Sequence, residues 1–248
     1  MKRTKLDERI LPKYTKGEEI FNMTSHIVGA ALGVVALVLC IIFSGIHHNP
    51  YGVVSSTIVT IVLCSVFGGI RHNPYGVVSG IIFGVSMLFL YTMSSIYHGL
   101  SPKLKSKKVF QVLDHCAIFV LIAGSYTPFA LCTLREIDTA TGWWIFGIIW
   151  GMAILGIVLN SIDLKQFKVF SMICYLVMGW CIIIKANLLP SLLGMPGFIM
   201  LLAGGVIYTI GAVLYGIGKK YKYVHSIFHL CVFLGNMLHV LCVLMYVI

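Results

Sequence analysis

The chain has 248 residues, 59% of them hydrophobic and 10% charged, with a formal net charge of +10 and a mean hydropathy of +0.97. That apolar excess excludes an ordinary soluble domain, and basic residues scattered through short breaks between apolar runs exclude a nucleic-acid-binding face. The expected class is an all-α polytopic membrane protein, because a helical span needs roughly 20 apolar residues and such stretches recur here.

Residues 1–23 form a polar basic segment containing Lys2, Arg3, Lys5, Arg9, Lys13 and Lys16. It has no small-residue cleavage site, so no removable signal peptide is expected. Residues 24–248 are expected to form a single transmembrane domain, a seven-helix bundle. Its spans are read at about 24–45, 76–98, 110–132, 143–161, 169–187, 196–216 and 224–247. Lys103, Lys105, Lys107 and Lys108 follow the second span, Lys165 and Lys168 the fourth, and Lys219, Lys220 and Lys222 precede the last. The other connections are poor in Lys and Arg apart from Arg71, Arg135 and Lys185. Alternate loops are therefore basic, which predicts a plasma-membrane protein with a cytoplasmic N-terminus and an outer C-terminus.

An additional apolar stretch at 53–70 belongs to a tandem duplication. His48-Asn49-Pro50-Tyr51-Gly52-Val53-Val54-Ser55 recurs as His72-Asn73-Pro74-Tyr75-Gly76-Val77-Val78-Ser79. If 53–70 crossed the membrane, the basic 103–108 loop would lie opposite the basic N-terminus. A re-entrant or displaced segment is therefore favoured over an eighth span. The eight cysteines all lie in apolar stretches without a C-x-x-C pair and read as small buried residues rather than a disulfide framework.

An ionisable side chain inside a span is costly and marks function by default. Asp114 is the acidic residue expected within a span. Ser94 and His98 are one helical turn apart on the second span, and His225 and His229 form an H-x-x-x-H pair on the last. That spacing places two imidazoles on one face, as in zinc sites. By the orientation above, His98, Asp114, His225 and His229 all lie in the cytoplasmic layer. Three neutral imidazoles suit zinc with a fourth position for water. Asp114 then fits a general base, and Ser94 a hydrogen-bond donor to a developing oxyanion. The bland alternative is interhelical hydrogen bonding by the same residues, each bond worth about 1 kcal/mol. His26, with Asn22 and Glu19, reads as either supporting the site or interfacial. His115 and His239 read as facing other neighbours.

Glu19–His26 (EIFNMTSH), Ser94–Leu100 (SSIYHGL), Leu113–Pro128 (LDHCAIFVLIAGSYTP) and His225–His239 (HSIFHLCVFLGNMLH) resemble bacterial hemolysin III-type proteins. These are relatives of the progestin and adipoQ receptors, grouped with alkaline ceramidases as membrane hydrolases. The resemblance implies a seven-helix bundle, zinc on His98, His225 and His229, and Asp114 and Ser94 beside it. The duplicated unit departs from the family pattern.

Three functions compete on this reading. The first is a zinc-dependent hydrolase of lipid amides or esters, acting in membrane lipid homeostasis. The second is a membrane-permeabilising hemolysin, and the third a receptor-like lipid sensor with structural zinc. Membrane lipids are the expected partners and nucleic acid is not; self-association into a homo-oligomer stays open.

Overall fold

A computed structural model describes residues 8, 9, 11–27, 73–217 and 222–248, and among them every regular element is helical. The duplicated stretch at 53–70 and most of the expected first span lie outside the described residues. Helix α1 is described over 16–27. It begins well before residue 24 because Thr15 and Glu18 form a capping box. The Glu18 backbone N–H donates to Thr15 Oγ1, and the Thr15 N–H donates to Glu18 Oε2 at 2.8 Å.

Helix α2 is Pro74–Gly99. Pro74 can occupy the first turn because no intrahelical donor is needed there, and Asn73 caps the turn by accepting from the Gly76 N–H. Helix α3 is Lys105–Pro128, continued through a π-helical turn, Phe129–Leu134, and the short Arg135–Ile137. Pro128 supplies no N–H, and past it the helix carries on with the wider π spacing. Helix α4 is Thr139–Asp163, with the Asp138 carboxylate accepting from the Ala140 and Thr141 N–H groups. Helix α5 is Lys168–Trp180 with a 3₁₀ extension, Cys181–Lys185. Helix α6 is Leu189–Ile217, interrupted at Gly194, whose φ of 68° lies in the left-handed region open to glycine. Helix α7 is Val224–Cys242, ending in a π turn, Val243–Val247.

Six of these helices, α2 to α7, are long and apolar enough to cross a membrane. Their burial differs sharply: 83% of the most apolar stretch of α3 is buried, against 22% for each of α4, α5 and α6. Helix α3 is the central post, packed on α2, α4 and α5, while α6 pairs with α7. Polarity is inverted relative to a protein in water. Asn22, Ser94, Asn160 and Asn236 are fully enclosed, while Trp144, Val169 and Ile184 are each 70% or more exposed on the outside. Lipid is the solvent that makes both halves of this distribution favourable.

Candidate metal centre

The last turn of α2, the first turns of α7 and the start of α1 meet at one end of the bundle. His98 arrives from α2, and His225 and His229 from α7. One ring nitrogen from each of the three lies within 4.8 Å of the other two, a donor set able to hold a metal ion. His229 Nε2 is 3.0 Å from His225 Nε2 and 3.2 Å from His98 Nε2. The three rings are buried.

The opposite edges of two rings are held by partners that leave Nε2 as the inward donor. His98 Nδ1 is 2.7 Å from Glu19 Oε2, so its N–H donates to the carboxylate and its Nε2 lone pair faces His229. Glu19 is itself clamped by Lys107 Nζ at 2.6 Å, and that ammonium also donates to the Leu100 carbonyl closing α2. Burial alone would raise the Glu19 carboxyl, but the hydrogen bonds from His98 and Lys107 hold it below its ordinary value. His229 Nδ1 meets His26 Nε2 of α1 at 2.5 Å. For His229 to offer a lone pair at Nε2, its proton must sit on Nδ1 and be donated to His26. His26 then carries its own proton on Nδ1, a buried atom without a partner among the described residues. A carboxylate on one ligand and an imidazole on another are the outer partners that fix histidine tautomers in metal sites.

Ser94 and Asp114 line a cavity of about 110 Å³ together with His26 and His229. The rest of its wall is largely apolar, including Leu90, Ile118, Leu121 and Val232. Ser94 is distinctive among the helix hydroxyls. Ser86, Thr127 and Thr209 each donate back to the carbonyl four residues earlier, the usual resting place of such a group. Ser94 Oγ is buried with no partner among the described residues, so a hydroxyl is left available to whatever occupies the cavity.

His115 is accounted for otherwise. Its Nδ1–H donates to the Gln111 carbonyl and its Nε2 accepts from the Tyr215 hydroxyl, each at 2.8 Å. His239 lies farther along α7, 3.3 Å from the Leu201 carbonyl on α6. Gly204 makes that approach feasible, since a Cβ there would meet the His239 ring at 2.4 Å. Two contributors escape a reading of the sequence. Tyr14 stacks on the His225 ring with centroids 4.9 Å apart, and Lys107 looks in the sequence like one more loop lysine. No spacing pattern links either to the histidines.

The inside-out helical bundle and its buried histidine cluster define a multi-pass membrane protein with a candidate metal centre. The model of the family described as haemolysin-III related matches residues 14–240, and the chain belongs to that family. It is 38% identical to Hemolysin-3 of Bacillus cereus over 93% of this chain and 92% of that protein. It is 37% identical to a Hemolysin-3 homolog of Bacillus subtilis, covering 94% of this chain and 96% of that one. A human relative, monocyte to macrophage differentiation factor, is 28% identical over 64% of this chain and 66% of its own length.

Proposed function

We propose that this protein is a zinc-dependent membrane hydrolase that cleaves an amide or ester bond of a lipid. The observation that carries the reading is the convergence of three imidazole nitrogens beside an unpartnered serine hydroxyl and a carboxylate. The Nε2 lone pairs of His98 and His229, 3.2 Å apart, repel one another unless a cation lies between them or one ring is protonated, and His225 Nε2 is 3.0 Å from the same His229 nitrogen. Two nitrogens bound tetrahedrally at about 2.0–2.1 Å from zinc would be roughly 3.3–3.4 Å apart, close to the separations found. His98, His225 and His229 would hold the ion, with Glu19 and His26 orienting two of the rings.

When bound, zinc supplies Lewis acidity and lowers the pKa of water. The protein's own groups do the rest. Asp114 takes the proton of the attacking water and returns one to the leaving amine or alcohol. Ser94 Oγ–H donates to the carbonyl oxygen as negative charge develops on it. The apolar part of the cavity holds an acyl chain, and the enclosing helices keep bulk water out. In this reading the N-terminus is cytoplasmic and the reaction occurs at the cytoplasmic leaflet, in line with the distribution of Lys and Arg.

The test combines metal analysis of detergent-purified protein with turnover of fluorescent amide and ester lipids. One zinc per chain and measurable turnover are expected, with Asp114→Asn keeping the zinc and losing at least about a hundredfold in rate. If Asp114→Asn left turnover unchanged, Asp114 would not be the base. If the native protein held zinc and hydrolysed no lipid, the receptor-like reading with structural zinc would replace this one. Relatives named hemolysin-3 make membrane permeabilisation the other alternative. Dye release from liposomes at high protein-to-lipid ratio separates it, since the hydrolase reading expects none.

A further inference from the structure

A second, larger cavity of about 620 Å³ adjoins the histidine cluster. Met172, Tyr175 and Tyr215 line both this vestibule and the apolar cavity, so the two share a wall, and His225 belongs to the lining of the vestibule. The two chambers differ in chemistry. Arg9, Lys13, Lys165, Lys168 and Lys222 line the vestibule, drawn from the N-terminal segment, the α4–α5 connection with the start of α5, and the approach to α7. Two carboxylates face them, Glu8 and Glu18. Glu18 is occupied by hydrogen bonds from Thr15 and from the Tyr223 backbone. Arg9 reaches the Ile162 carbonyl with one terminal nitrogen, while its buried Nε has no partner among the described residues.

Topology alone would place basic residues at this end of the bundle, but it would not gather them around one cavity. Lys103 is exposed in the α2–α3 connection and lines neither chamber. A cavity of this size suits a small ligand. A guanidinium with several ammonium groups matches an anion with several oxygens, such as a phosphate, better than a single carboxylate.

Resting on the hydrolase reading, we infer that the vestibule docks the phosphate of an anionic lipid headgroup and that the substrates are phosphate-bearing lipids. The acyl chain enters the apolar cavity and the headgroup occupies the basic one. The bond to be cleaved then lies at the shared wall, beside His229 and Asp114. Affinity comes from charge and falls with salt, while the separation of the chambers sets which bond reaches the centre.

The experiment measures binding of short-chain phosphatidic acid to the full-length protein in a neutral detergent, with diacylglycerol of the same chain length as comparator. Phosphatidic acid should bind and diacylglycerol should bind at least about tenfold more weakly, because clustered Lys and Arg act on the anionic group. Lys13 and Lys222 are exposed, so Lys13→Glu with Lys222→Glu should leave the fold and the zinc content unchanged. The double variant should bind phosphatidic acid about tenfold or more weakly, and Lys103→Glu less than about twofold more weakly. Equal binding of the two lipids, or an equal loss with Lys103→Glu, would overturn the inference. Displacement of the lipid by equimolar inorganic phosphate would overturn the lipid assignment in favour of a free anion. Failure here with zinc and turnover retained breaks this inference alone. Phosphatidic acid binding by a chain without zinc breaks the hydrolase reading, and with it the assignment of these lipids as substrates, while the vestibule stands as their docking site.

Discussion

Helix α7 carries two buried polar groups that look alike in the sequence and behave differently in the fold. Near its start, His225 and His229 turn ring nitrogens toward each other and toward His98. Farther on, Asn236 and His239 are tied to neighbours one bond at a time. The Asn236 amide donates to the Tyr91 hydroxyl and its carbonyl accepts from Tyr208, while His239 meets the Leu201 carbonyl. In each of these bonds a donor meets an acceptor, with only His239 Nδ1 left without a partner among the described residues, and the group serves as interhelical glue. At the first, the outer partners of His98 and His229 leave their Nε2 lone pairs facing each other, an arrangement that a cation or a proton between them stabilises. Burial of a histidine is therefore weak evidence for a ligand. The direction of its lone pair and the partner on its other nitrogen carry the distinction.

Paired substitutions at the two ends test that contrast most strongly. His229→Ala should remove zinc from the purified protein, taking it from one equivalent to near zero, while His239→Leu should keep the full equivalent. Metal analysis after gel filtration reads both. Loss of zinc from His239→Leu alone would erase the difference between the two groups. The next effect is smaller and graded. Glu19→Gln leaves all three imidazoles but weakens the acceptor that orients His98, and such outer partners are worth about 10–100-fold in metal affinity. Competition with a chelator should show that loss with the fold intact.

How much of this was legible in the sequence follows from the same contrast. The trio was readable because lipid makes unpaired imidazoles expensive, because His225 and His229 are one turn apart, and because span order gave His98 the same depth. Six of the seven expected spans were readable for a related reason, since hydropathy reports the crossing. It does not report the helix: α3 starts at Lys105 rather than near 110, and α1 by residue 16 rather than 24. Lysine-rich and capped turns are helical without being apolar. Glu19 and His98 are 79 residues apart, and no periodicity couples positions that meet only through tertiary packing. Ser94 illustrates the converse. Its place one turn from His98 was visible, but its unspent hydroxyl emerges only beside the back-bonded Ser86, Thr127 and Thr209.

At the glue end, Asn236→Leu removes two interhelical hydrogen bonds and should cost about 1–2 kcal/mol at roughly 0.6 kcal/mol or more per bond within a membrane. Zinc content should not change. Thermal unfolding in detergent measures the first and metal analysis the second. A loss of zinc would mean that the two groups on α7 act as one network.

The smallest effect concerns the strap that fixes the start of α7. Tyr223 precedes the helix with φ of 61°, a left-handed conformation unusual for a bulky residue, and its N–H donates to Glu18 Oε1 at 2.8 Å. The same carboxylate closes the capping box of α1, so Glu18 joins the first turns of α1 and α7 two residues before His225. Burial tends to raise the Glu18 carboxyl, but hydrogen bonds from the Thr15 and Tyr223 backbones and the Thr15 hydroxyl bring it below its ordinary value of 4.5. A carboxyl with a lowered folded-state pKa stabilises the fold above its unfolded value, and that contribution is lost as pH falls through the folded one. Wild type should therefore melt above Glu18→Gln by on the order of a few degrees at pH 6. The gap should close as the pH is taken down from about 4.5, through loss of wild-type stability rather than gain by the variant. A gap that stayed constant across this range would mean that Glu18 holds α7 through shape and neutral hydrogen bonding, with no contribution from its charge.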